Sequence, residues 1–174
     1  MLKVLLFGNL GSGKSHLAER SLHRFPAFEL VSIDVYRRKY GDGTQEAERL
    51  AKEQFLHGVV QGRQQLIEAT GLGETGLLLA ERLETFGEPL LVVLLTTPLS
   101  VCLARLSERK WEVPYPAPPE QAFDLARRTD ELIRAGEVEA IWSLLPGSII
   151  IKGDCSDNRS MNELLERMAI QLTT

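Results

Sequence analysis

"VLLFGNLGSGKSHLAER" occupies residues 4–20 of the chain. An unbroken apolar run ends at Phe7, and glycines follow at 8, 11 and 13. Lys14 and Ser15 close the segment, and Leu17 and Ala18 begin a helix-like apolar stripe. A short apolar run bounded by glycine reads as a strand buried on both faces. Gly8 and Gly13 supply backbone conformations that a Cβ would forbid. They let the N–H groups of Asn9, Leu10, Gly11, Ser12 and their neighbours turn inward as an anion nest. The helix that follows, with His16 in its first turn, adds the positive end of its dipole. The octet Gly8–Ser15 fits G-x-x-x-x-G-K-[ST] in full, with the strand before and helix after that the motif requires. Lys14 is placed to reach outer phosphates, and the Ser15 hydroxyl to sit on Mg²⁺.

Beyond this stretch, strand-like and helix-like runs alternate. Strands are expected at Leu2–Phe7, Phe28–Ser32, Gln65–Ala69, Leu90–Thr96 and Ser148–Ile151. Helices are expected at Ser15–Arg24, Asp34–Tyr40, Gln45–Gln61, Glu74–Phe86, Pro98–Lys110, Pro119–Ala135 and Val138–Leu144. Thr44 is the expected cap of the third of these. Ser160 followed by Glu163 reads as a capping box that opens a last helix to about Leu172. Trp111–Pro119 contains four prolines, and it reads as either a mobile flap or a surface loop. The pattern implies a three-layer α/β/α fold with a five-stranded parallel sheet and a short lid at about 105–119.

The chain has 174 residues, which suits a single domain over 1–174. Its formal net charge of −4 argues against a general nucleic-acid binder, although a small basic site on an acidic body is compatible with it. Cys102 and Cys155 stand far apart without a CxxC partner, which offers no disulfide framework or zinc site. The N-terminus has no signal-peptide layout, and no apolar run is long enough to span a bilayer. A cytoplasmic protein without membrane contact is expected, as a monomer or homodimer.

A nucleoside triphosphate site alone could serve a switch, a motor or a transferase. The guanine-reading N-K-x-D motif is absent, and Leu90–Thr96 runs into Thr96-Thr97-Pro98 where a motor strand would end in Asp-Glu. The segment "SIDVYRRKYGD", 32–42, adds Asp34 and Arg37 in a D-x-x-R arrangement. "LIEATGLG", 66–73, adds Glu68 at a strand end. "CLARLSERKW", 102–111, adds Arg105 and Arg109 at i,i+4, a spacing that places both on one helix face.

Taken together, these stations resemble the small P-loop kinases, the AAA_33-like and zeta-toxin-like ATP-binding kinases. The motif resemblance is greatest to the kinase domain of polynucleotide 5′-kinases. The resemblance implies Mg·ATP on residues 8–15 and transfer of the γ-phosphate to a hydroxyl. It implies Asp34 as base, Arg37 as acceptor clamp, and Lys14 and Arg109 at the transferring phosphate. Arg105 would lie near adenine, as would Gly153 and Asp154 after the fifth strand. Glu68 replaces the family's more common Asp, and would either hold a metal-bound water or pair with a nearby Arg. Thr70 and Gly71 would line the acceptor side. The acceptor would be a small molecule or a polynucleotide 5′-hydroxyl. Arg37, Arg38, Lys39, Arg105, Arg109, Lys110, Arg127 and Arg128 are candidates for a basic face serving the latter. The alternative is a nucleotide-binding NTPase or regulatory module with no phosphorylated acceptor.

Overall fold

The computed structural model describes residues 2–85, 87, 89–114 and 118–173. The strands are β1 (Leu2–Gly8), β2 (Glu29–Ser32), β3 (Gln64–Glu68), β4 (Leu90–Leu95) and β5 (Ile149–Gly153). The helices are α1 (Lys14–Arg24), α2 (Ile33–Tyr40), α3 (Gln45–Val59), α4 (Gly73–Glu84), α5 (Leu99–Glu108), α6 (Gln121–Arg134), α7 (Glu137–Trp142) and α8 (Asn158–Thr173). The expected helix end at Phe86 and the flap segment 115–117 lie outside the described residues. All strand pairs are parallel, in the order β2-β3-β1-β4-β5. This is a three-layer α/β/α fold with a five-stranded parallel sheet, as expected.

Strand alternation divides the core into two layers. Leu5, Phe7, Ile67, Val92 and Leu94 meet Phe55 of α3, Leu79 and Leu83 of α4, and Trp142 of α7. Val4, Leu6, Leu66, Leu91, Val93 and Leu95 face the other way, onto Leu17 of α1 and Met161, Leu164 and Met168 of α8. Each such aliphatic side chain contributes roughly 1.5–3 kcal/mol on full burial. Because every β4 residue from Leu90 to Leu95 is buried, that strand has no polar face to expose. Lys3 is the exception in β1. Its ammonium is buried at the opposite end of the sheet from the phosphate loop, donating to the carbonyls of Val59 (2.7 Å) and Gly62 (3.0 Å) and to Gln65.

The Thr44 cap is present, with its Oγ1 accepting from the Ala47 N–H at 3.2 Å. The Ser160 capping box is not. The α8 helix begins at Asn158, and the Ser160 N–H donates to the Asp157 carboxylate at 2.8 Å. Asp and Ser are comparable caps, so the earlier of the two competes successfully. Ser160 then sits inside the first turn, and Glu163 pairs with Arg159.

Candidate active site

The register brings the site together at the carboxyl ends of the central strands. Leu6 of β1 lies beside Glu68 of β3, and Gly8 lies beside Leu95 of β4. In open parallel sheets, ligands bind at this edge. The loop Gly8–Gly13 crosses it and ends in α1, with Gly13 as the N-cap at φ +98°. Gly11 is at φ +74°, and a Cβ there would lie 2.5 Å from the Cys102 carbonyl oxygen. The loop is therefore compressed against α5, and of the N–H groups expected to turn inward, that of Ser12 donates within the loop to the Asn9 carbonyl at 3.2 Å.

Several ties hold the loop in this shape. Thr97 Oγ1 donates to the Ser12 carbonyl at 2.8 Å and accepts from the Cys155 N–H at 3.1 Å. Asn9 is buried, and its amide donates to the Ala126 carbonyl at 2.8 Å. Its Oδ1 accepts from the Leu10 N–H at 2.7 Å. The Ser12 hydroxyl is buried without a hydrogen-bond partner among the described residues. Burial pushes both thiols up, that of Cys155 to about 12, so neither is a poised nucleophile.

A cavity of about 540 Å³ opens above the loop. It is lined by residues 10–16, by Asp34, Arg37 and Glu48, by Glu68 and Thr70, and by Arg105 and Arg109. Lys14 Nζ donates to the carbonyls of Gly8 (2.9 Å) and Asn9 (2.7 Å). Its pKa is lowered because desolvation outweighs the attraction of Glu68 and Asp34. Ser15 Oγ donates to Glu68 Oε1 at 2.6 Å. Of the two alternatives for Glu68, pairing with an arginine gives way to a hydroxyl–carboxylate pair. Those two oxygens suit a hard cation whose other ligands are water and phosphate oxygens. Among the described residues, no group of three His, Cys, Asp or Glu side chains forms a separate metal cage.

Asp34 lies in the first turn of α2, just after β2. Its Oδ1 accepts from Arg37 at 3.0 Å, and Arg109 lies 3.5 Å from its Oδ2. Arg37 also makes a two-pronged pair with Glu48, Nε to Oε2 at 2.8 Å and Nη2 to Oε1 at 2.6 Å. The α5 helix ends at Glu108, and Arg109 turns out in extended conformation. The expected helix to Lys110 is thus two residues shorter, and Arg105 and Arg109, four apart at its end, both line the cavity. The Arg109 guanidinium sits over the Trp111 ring, 5.1 Å from its centroid. Arg105 donates to the carbonyls of Gly11 (3.2 Å), Cys155 (2.8 Å) and Ser156 (2.9 Å). It ties the phosphate loop to the segment after β5.

Gly153 and Asp154 do not line this cavity. Gly153 packs on Leu164, and the Asp154 carboxylate accepts from Ser156. Gly71 does not line it either; its carbonyl accepts from Trp142 Nε1 at 3.1 Å, and its Cα abuts the Phe7 ring. Of the basic candidates, Arg37, Arg105 and Arg109 converge, whereas Arg38 and Lys39 are exposed and Arg127 pairs with Asp124.

Glu48 is the main residue that sequence reading missed. It sits among Glu46, Arg49 and Glu53 and looks solvated. Its signal was positional: Glu48, Ala51 and Phe55 form an i, i+3, i+7 stripe whose other members are core residues.

A glycine loop between β1 and α1 that shares one cavity with Asp34, Glu68 and the arginines 37, 105 and 109 defines a nucleotide-binding domain at the end of a parallel sheet. The chain belongs to the AAA_33 family of AAA domains, which matches residues 4–133. No curated protein matches the chain in sequence. Among solved structures it is similar to shikimate kinase from Bacteroides thetaiotaomicron, with a TM-score of 0.60 and 16% identity over 99% of both chains. A gluconokinase from Sinorhizobium meliloti 1021 is similar with a TM-score of 0.59 and 16% identity, over 98% of this chain and 95% of that one. Deoxyadenosine kinase from M. mycoides, with bound dATP, has a TM-score of 0.58 and 11% identity over 99% of this chain and 100% of its own. These likenesses establish the shared fold. Among the described residues, no helix is long and apolar enough to cross a membrane.

Proposed function

We propose that the protein is an ATP-dependent phosphotransferase that moves the γ-phosphate of Mg·ATP to a hydroxyl acceptor. The observation that carries this reading is the convergence of Asp34 and Arg109 on the same cavity as Lys14 and Ser15. Phosphoryl transfer requires positioning, charge neutralisation and one group to orient the attacking hydroxyl. Lys14, the loop N–H groups and Arg109 supply the positive charge, and the Asp34 carboxylate supplies the orienting acceptor. Ser15 and Glu68 would hold Mg²⁺, Glu68 through water, and the ion would offset negative charge on the phosphate oxygens.

In the transfer, an acceptor hydroxyl donates its proton to Asp34. Its oxygen lone pair forms the new bond to γ-phosphorus, and the bond to the bridging oxygen breaks to release ADP. Arg105 lies on the nucleotide side, and Arg37 lies on the acceptor side. The acceptor would be a small molecule or a polynucleotide 5′-hydroxyl, the latter suggested by the D-x-x-R and R-x-x-x-R motifs.

The test is a screen of hydroxyl acceptors with labelled ATP, including a 5′-hydroxyl oligonucleotide. Asp34→Asn should bind ATP normally and lose about 10²–10⁴-fold in transfer. Unchanged transfer by that variant would refute Asp34 as base. ATP hydrolysis indifferent to every acceptor would instead support a nucleotide-dependent module.

A further inference from the structure

Under the proposed phosphotransferase reading, on which this rests, we infer that the acceptor is an uncharged hydroxyl compound with an apolar portion, because Glu48 already occupies the fork of Arg37. The D-x-x-R pattern suggests an arginine waiting for an anion. In the folded chain its Nε and Nη2 donate to the two Glu48 oxygens, and its Nη1 donates to Asp34. This is the planar, two-pronged geometry in which an arginine binds a carboxylate or phosphate of a ligand. The place of the ligand anion is taken by a side chain of the protein itself.

Burial makes the arrangement hard to exchange. The Glu48 side chain is 8% exposed and that of Arg37 16%. An anionic acceptor would have to displace Glu48, leaving it buried without its main partner, or share Arg37 with it, placing two anions side by side. Other cations offer little relief. Lys52 approaches Glu48 from the helix surface at 3.8 Å and does not line the cavity. Arg109 and Lys14 lie on the phosphate side, where the donor's own charge requires them, and Arg105 is engaged by the carbonyls of Gly11, Cys155 and Ser156. What remains for the acceptor is one hydrogen-bonding carboxylate, the Thr70 and Thr75 side chains, and the apolar surfaces of Ile33 and Leu125.

The apolar portion has a place to lie. Leu10 and Leu125 also line a neighbouring cavity of about 430 Å³, with Trp111, Pro118 and Ala122. Arg128 and Asp124 also line it, and Asp124 is paired with Arg127. An acceptor with its hydroxyl at Asp34 can extend across Leu125 toward Trp111.

The experiment compares matched acceptors with labelled ATP: thymidine against thymidine 3′-monophosphate, benzyl glucoside against benzyl glucuronide, and a 5′-hydroxyl oligonucleotide. Selectivity is read as the ratio of kcat/KM within each pair. The uncharged member should be favoured at least ~10-fold, since one unpaired buried charge costs more than a factor of ten in binding. Glu48→Gln should narrow that ratio by raising turnover of the anionic member, while circular dichroism shows the variant folded. Preference of the native protein for anionic members, or for the oligonucleotide, overturns the inference and leaves the phosphotransferase reading standing. Phosphorylation of no acceptor despite ATP binding overturns both. If Glu48→Gln does not fold, the native ratios still decide.

Discussion

Arg105→Met should destabilise the protein before any nucleotide is added. The family resemblance places this arginine near adenine, where its loss would matter only when ATP is bound. In the fold, its guanidinium holds three carbonyls on two separate segments, Gly11 in the phosphate loop and Cys155 and Ser156 after β5. Methionine keeps most of the aliphatic stem and removes the donors. Hydrogen bonds to charged donors contribute more than neutral ones, but water can reach a half-buried site and rehydrate the carbonyls. At about 1 kcal/mol net per bond, the loss is about 3 kcal/mol. For a chain of this size each kcal/mol moves Tm by roughly 2–4 °C, so Tm should fall by roughly 6–12 °C. The assay is thermal unfolding of the nucleotide-free protein, followed by circular dichroism, with urea unfolding to obtain the free energy. ATP affinity should fall as well, because the loop must then be ordered by the ligand. A nucleotide-free Tm within 2 °C of the native value, with weakened ATP binding (about 2 °C being less than 1 kcal/mol), would refute the strut and restore a purely base-contacting role.

Other perturbations probe the same edge of the sheet. Gly11→Ala places a Cβ 2.5 Å from the Cys102 carbonyl at φ +74°; it should cost about 2–4 kcal/mol in urea unfolding and abolish ATP binding by calorimetry. Ser15→Ala removes the hydroxyl that pairs with Glu68; Mg²⁺ required for half-maximal ATP turnover should rise about 10–100-fold, with nucleotide affinity in the absence of metal little changed. Lys14 has a pKa below its ordinary 10.5 in the folded chain, so the unfolded chain binds more protons between the two values. Stability should therefore rise with pH across that window in the native protein and not in Lys14→Met, as read by urea unfolding at stepped pH.

The secondary structure was legible because its signals are local. Apolar runs marked the five strands, and Thr44 marked its helix start. The phosphate loop was legible for the same reason, since its conformation follows from glycine placement and from the strand and helix beside it. The errors arose where two local signals competed. Asp157 and Ser160 are both good caps, and only the start of α8 chooses between them. The expected end of α5 at Lys110 was also too late, since Arg109 is its C-cap and only the chain beyond it turns away.

By itself, the sequence determined a phosphate loop on a parallel α/β sheet and nominated Asp34, Glu68 and the two arginines above it. The tertiary structure alone decided what each of these side chains already holds. Ser15 and Glu68, 53 residues apart, are the two ends of one short hydrogen bond. Arg37 and Glu48 meet across two helices, and Arg105 reaches 94 residues back to Gly11. Such partners are set by strand register and helix packing, which bring these positions within hydrogen-bond reach whatever their separation along the chain. Whether an arginine awaits a ligand or is already satisfied depends on those long-range contacts, and for Arg37 it depends on the packing of α2 against α3.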